Sequence, residues 1–188
     1  MTSRKRLDRA IILHTAASLA EEVTLDRLTL NQLAGRLEVK TPSLYNHVQG
    51  LPDLYAGLAA LCIQRLGAMI AHTAIGRSHE DAIMAIAREY RTFARTHPEL
   101  YKAILKSPQM EHSAITEAED EVVRILFKVL EPYHYGEEEA FHKIRGLRSL
   151  LHGFVSLEEA GFFRAPWDVD RSYEQMVAGV LATMTSGR

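Results

Sequence analysis

Residues 28–49 read "LTLNQLAGRLEVKTPSLYNHVQ", and the fold is decided inside this stretch. Thr29 followed three positions later by Gln32 is a capping box, in which hydroxyl and amide satisfy orphan N–H groups at a helix start. Leu30, Leu33, Ala34 and Leu37 then give that helix one apolar stripe. Thr41 is expected as the N-cap of a second helix, with Pro42 at its first position, where the missing N–H would have had no partner. Only Leu44 and Val48 point inward from it, and Gly50 ends it. The spacing predicts a helix, a short turn and a second short helix over 28–49, with apolar contacts on one side only.

The outward side of that second helix carries Lys40, Thr41, Ser43, Tyr45, Asn46 and His47. Asn makes two hydrogen bonds to adenine in a major groove, and Thr and Ser read base edges or a thymine methyl. Tyr, His and Lys hold phosphates. This is the composition of a recognition helix in a helix-turn-helix. An ordinary solvated helix face would carry more Glu–Lys pairs and no exposed Tyr.

Working outward, the pattern is helical nearly throughout, with no convincing strand, internal repeat or low-complexity segment. A first helix is expected over about 6–22, with Ile12, Ala16, Leu19 and Val23 on one face. Later helices are expected over 52–75, 79–96, a short stretch between Pro98 and Pro108, 113–130, 137–163 and 170–185, with Ser78 as a cap and Pro132 and Pro166 as breaks.

The 188 residues are 47% hydrophobic, enough for a sizeable core. No run of ~18 consecutive apolar residues appears, so no membrane span is expected. The start "MTSRKRLDRA" has no apolar segment of the secretory kind. Cys62 is the single cysteine, so an intrachain disulfide and a four-cysteine metal site are excluded, and a reducing cytoplasm is the expected compartment. The net charge of −2 is unevenly spread: residues 1–50 hold seven Lys/Arg against five Asp/Glu, the remainder 15 against 19. Arg4, Lys5, Arg6 and Arg9 cluster at the start. A mildly basic head on an acidic body suits a polyanion partner for the head alone, or else a solvated terminus.

The run "LTLNQLAGRLEVKTPSLYNHVQGLPDLYAGL" (28–58), with "LY-x-HV" at Leu44–Val48, resembles the DNA-binding domain of the TetR family of bacterial transcription regulators, and the first ~60 residues match that whole domain. The resemblance implies an all-α chain: a three-helix helix-turn-helix domain at 1–50, and a helical bundle at 51–188 for ligand binding and dimerisation. It implies a homodimer on a near-palindromic double-stranded operator, released by a small-molecule effector of unknown identity, with no cofactor or metal. By position, Thr29 and Asn31 would approach DNA from the first helix of the motif. Thr41, Pro42, Ser43 and Asn46 would face base edges, and Tyr45 and His47 would hold phosphates, with Lys40 beside them. Two positions depart from the family pattern. Glu38 stands in the turn where Gly is common, and Leu51 stands where Lys usually precedes the next helix.

The body is less specific. "LRSLLHGFVSLEEAGFF" (147–163) partly resembles a subgroup named for a Trp-His-Gly signature, with Leu151 at the Trp position before His152 and Gly153. Gly146, Gly153 and Ala160 repeat every seven residues, a stripe where another helix can come close. With Leu150, Phe154 and Leu157, and with Tyr173, Val177, Val180, Leu181 and Met184 of the last helix, it would form a four-helix interface with a second copy; the same faces would also serve packing inside one subunit. Met69, Tyr90, Phe93, His97, Tyr101, Phe127 and His152 are the pocket candidates for an apolar ligand, expected between the fourth helix and 113–163, and each also suits a core.

A metal enzyme is the alternative of a different class. Glu131–His134 and Glu139–His142 both spell Glu-x-x-His, as in di-iron bundles. The first contains Pro132 and the second follows at once, so facing copies are not expected. Cys62 has no nucleophile context and no Gly-rich phosphate loop appears. The sequence therefore reads as a ligand-responsive transcription regulator, most simply a repressor, with a regulator lacking any ligand as the second possibility.

Overall fold

The computed structural model describes residues 7–185. Arg4, Lys5 and Arg6 of the basic cluster lie outside the described residues. Among those described there are nine α-helices and no strand: α1 (Arg9–Val23), α2 (Leu30–Arg36), α3 (Thr41–Leu44), α4 (Leu51–Ala74), α5 (His79–Thr96), α6 (Pro98–Lys106), α7 (Ser113–Leu130), α8 (Glu137–Glu159) and α9 (Val169–Thr185). Short 3-10 turns at Leu25–Arg27, Ser107–Gln109 and Glu131–Tyr133 follow α1, α6 and α7.

The chain divides into two compact units that interleave along the sequence and cut across the functional division expected at residue 50. The first unit is Met1–Arg65 with His97–Glu119, and the second is Leu66–Thr96 with Asp120–Arg188. In the first, Ile12, Leu28, Leu33, Leu44, Leu54 and Leu58 are fully buried and form a core beneath α1, α2 and α3. The helix α6 is fastened to this core by charge. Glu21 of α1 accepts the N–H groups of Glu99 (3.3 Å) and Leu100 (3.0 Å), satisfying donors that the start of α6 leaves open. Glu99 in turn accepts the Leu25 N–H at 2.7 Å, and Lys106 pairs with Asp26.

In the second unit, α5 turns Ala82, Ile83, Ile86, Ala87, Tyr90, Arg91 and Ala94 inward and packs on α8 and α9. Tyr173 of α9 donates its hydroxyl proton to the Ala87 carbonyl at 2.5 Å. The buried Arg91 guanidinium donates to both Glu158 oxygens (2.8 and 2.6 Å) and lies over the rings of Phe154 and Tyr173. A buried charge survives only when paired in this way. By length and composition α4 is apolar enough to cross a bilayer, but 61% of that window is buried inside the protein, the position of a core helix.

Three expected boundaries are corrected. The second helix of the motif ends at Leu44, and residues 45–47 form a turn. Its N-cap is Lys40 and not Thr41. The helix expected to reach 163 stops at Glu159, because Gly161 takes φ +73° and the N–H groups of Gly161 and Phe162 bond back to Glu158 and Leu157. This is a Schellman stop.

Candidate nucleic-acid interface

The local sequence builds the interface in order. Thr29 accepts the Gln32 N–H (3.2 Å) while Gln32 accepts the Thr29 N–H (2.9 Å), so the capping box is present. The exit of α2 is a Schellman motif: the Glu38 N–H reaches the Gly35 carbonyl (3.2 Å) and the Val39 N–H the Ala34 carbonyl (3.0 Å). Glu38 therefore holds the left-handed position, with φ +55°, where the family's glycine would be unstrained. The chain then enters α3, and Leu44 of that helix and Val48 beyond the following turn are both buried in the core.

This leaves one face outward. Lys40, Pro42, Tyr45 and Asn46 are exposed, and Thr41, Ser43 and His47 are partly exposed. Tyr45 is 58% exposed, which is unusual for a large aromatic side chain. Thr29 and Asn31 are exposed at the start of α2. The Thr41 hydroxyl donates to the Asn31 side-chain oxygen at 2.9 Å, tying the two helices of the motif together on this face. Lys40 makes no ion pair among the described residues, whereas Arg36 is bound by both oxygens of Glu22 (2.9 and 2.5 Å). Leu51, the departure noted above, opens α4 partly buried.

A feature that the sequence did not reveal underlies this face. Arg9 donates to both oxygens of Asp53 (2.9 and 2.7 Å) and to the His47 carbonyl (2.7 Å). Asp53 also accepts the Gln49 N–H at 2.7 Å. The Arg9 hydrogen bonds, helped by the Gln49 N–H and His112, hold the Asp53 carboxyl well below the usual carboxylate range.

The other predicted residues are dispersed. His97 and Tyr101 belong to the first unit, and Met69, Tyr90, Phe93, Phe127 and His152 to the second. Tyr90 and Tyr101 are buried, and Phe127 lies against Phe141 with ring centres 6.2 Å apart. His152 is partly buried, and that burial lowers its pKa. An open cleft of about 680 Å³ is lined by Met69, His72, Thr73, Arg77, Asp81, Ala85, Arg88 and Glu89; of the pocket candidates only Met69 lines it. Its lining is mixed, with Arg77, Asp81, Arg88 and Glu89 beside Met69 and Ala85. Among the described residues no group of three or more His, Cys, Asp or Glu is placed to hold a metal ion.

The interface candidates also separate. Tyr173, Val177, Leu181 and Met184 are buried within their own chain, which corrects their assignment to a face for a second copy. Gly146, Leu150, Gly153, Phe154, Leu157 and Val180 remain wholly or partly exposed. A Cβ added at Gly146 or Gly153 would meet nothing within 4 Å.

Comparison with known proteins agrees with this geometry. Residues 83–180 match the family model described as Tetracyclin repressor-like, C-terminal domain; the finer Trp-His-Gly resemblance stays an expectation. The chain is 34% identical to the HTH-type transcriptional regulator Rv0681 of Mycobacterium tuberculosis, over 95% of this chain and 82% of the relative. It is 32% identical to the HTH-type transcriptional regulator YobS of Bacillus subtilis, over 90% of this chain and 88% of the relative. In fold it is similar to a TetR variant of Acinetobacter baumannii AYE solved in complex with minocycline, with a TM-score of 0.70 at 21% identity, covering 96% of this chain and 98% of the other.

Proposed function

The chain belongs to the TetR family of DNA-binding transcription regulators, and on that premise we propose that it is a homodimeric, ligand-responsive repressor acting in the cytoplasm. Residues 1–50 read a near-palindromic operator, and residues 51–188 hold the effector and the second copy. The observation that carries this reading is the outward face of 40–47, where Asn46, Ser43 and Thr41 are flanked by Lys40, Tyr45 and His47. Base-reading and phosphate-holding groups sit side by side on it, as groove entry requires.

Two such faces must stand about 34 Å apart to enter successive major grooves. The outward stripe Gly146, Leu150, Gly153 and Leu157 of α8 supports the pairing, since it is turned away from its own core and Leu157 is 45% exposed. Val180 of α9 lies partly exposed as well. An apolar effector that favours a mismatched spacing of the heads then releases DNA by linkage. The names of the two sequence relatives support a regulator over a metal enzyme.

The test is selection of bound duplexes from a random pool. Asn46→Ala is expected to cost about 1–3 kcal/mol on the selected duplex and little on random DNA, and His47→Ala to weaken both. Equal losses for Asn46→Ala on the two duplexes remove it from the base-reading set. A wild-type protein that enriches no sequence overturns the reading.

A further inference from the structure

We propose that His112 is a positioning residue for DNA binding, holding the exit of the recognition segment through Asp53 from a stretch of chain outside the DNA-reading face. The proposal rests on the DNA-reading role given above to residues 40–47.

The need for such a residue follows from the shortness of α3. A helix of four residues, Thr41–Leu44, cannot rigidify the turn that carries Tyr45, Asn46 and His47 by its own hydrogen bonds. Leu44 and Val48 anchor that turn from below, and the His47 and Val48 N–H groups both bond back to the Leu44 carbonyl (2.9 Å each). The polar groups left at its exit, the His47 carbonyl and the Gln49 N–H, are fixed from outside. Arg9 holds the His47 carbonyl (2.7 Å) and Asp53 holds the Gln49 N–H (2.7 Å), while Arg9 and Asp53 hold each other.

His112 closes the arrangement. Its Nδ1 accepts the Ala114 N–H at 3.2 Å, at the start of α7. That bond places the ring proton of the neutral imidazole on Nε2. Nε2 lies 3.3 Å from Asp53 Oδ1, so the proton is donated to the carboxylate. The two side chains are 29% and 15% exposed, so the bond forms largely out of water. With Arg9, Gln49 and His112 in place, both carboxylate oxygens are engaged, and Asp53 has one orientation. Without His112, Oδ1 keeps only Arg9; the two-point Arg9 pair remains, but the carboxylate loses one restraint against tilting, and its bond to Gln49 lengthens more readily.

The experiment uses full-length wild type, His112→Ala and His112→Gln, the last retaining an N–H donor of similar reach. Amide hydrogen exchange at Gln49, read by NMR without DNA, is expected to quicken roughly fivefold in His112→Ala. Affinity for a duplex selected by the wild type should fall by a similar factor, and His112→Gln should restore both. Should His112→Ala fail to fold, His112→Phe keeps the ring without the donor and is read in the same two assays. Wild-type exchange at Gln49 in a folded donor-less variant overturns the proposal, as does faster exchange with unchanged affinity. A wild type that selects no duplex overturns the DNA-reading role instead, since the exchange measurement needs no DNA.

Discussion

Thr24 and Glu38 both take positive φ, +73° and +55°. Thr24, with ψ 148°, lies near a region that is almost glycine-only, and it is β-branched. It persists because the next N–H, that of Leu25, is drawn onto Glu99 at 2.7 Å. Glu38 is held by the Schellman bonds that end α2. Relief of strain exceeds the added unfolded-state entropy of glycine at both positions. Thr24→Gly is expected to stabilise by about 1 kcal/mol and Glu38→Gly by somewhat less, read as a higher urea midpoint at unchanged slope. Asp53 gives a prediction in pH. Its folded pKa is depressed, chiefly by the Arg9 hydrogen bonds. The stability it contributes is therefore present above the unfolded aspartate value, about 3.9, and is lost as pH falls toward the folded value. Asp53→Asn should cost about 2 kcal/mol at pH 7. The gap from wild type should narrow below roughly pH 4; a gap constant from neutral to acid pH would show that the charge of Asp53 contributes nothing to it.

Helices α5 and α7 have the bounds the sequence predicts, His79–Thr96 and Ser113–Leu130. Pro98 and Pro132 stand just beyond each end, and such breaks act locally. The capping box of α2 was legible for the same reason. The end of α8 was equally local: Gly161 is the signal, overridden by the apolar run that continues into Phe162 and Phe163. Residues 45–47 were read as helix because Val48 is buried either way, so periodicity alone does not separate helix from turn there. The network behind the outward face of 40–47 was not legible. Arg9 is 44 positions from Asp53, and His112 is 59. Nor does spacing tell a face buried in its own chain from one kept for a partner, which is how Tyr173 and Val177 were misplaced. Within the chain, helices come close at Gly67, where an added Cβ would lie 2.9 Å from Cγ2 of Val122 on α7. Valine is stiff at χ1 and cannot swing aside. Gly67→Ala should thus destabilise by about 1–3 kcal/mol despite the better helix propensity of alanine; thermal unfolding with a Tm at or above wild type would mean that α4 and α7 have slack there.

At the scale of the molecule, the pairing of two chains is tested at Gly153, where space around the added Cβ lets Gly153→Leu leave the single subunit intact. Sedimentation at micromolar concentration is expected to show dimers for wild type and folded monomers for the variant, with DNA affinity lost because one head binds alone. A monomeric wild type would remove the α8 stripe as an interface. The interleaving of the two units bears on how far the reading head can be handled as a piece. A fragment of residues 1–65 lacks α6, and so leaves the carboxylate of Glu21 and the N–H of Leu25 without their partners Glu99 and Leu100. It is expected to show less helix by circular dichroism, residue for residue, than the same segment in the whole chain. The same dependence constrains inheritance. A single crossover near residue 50, joining this N-terminal end to the remainder of a divergent cousin, would bring Glu21 and Leu25 against an α6 that never coevolved with them. Exchange of DNA specificity between such genes is viable only where residues 97–119 travel with the head or already match it, so lineages of heads and of α6 should share one history while the rest of the body follows another.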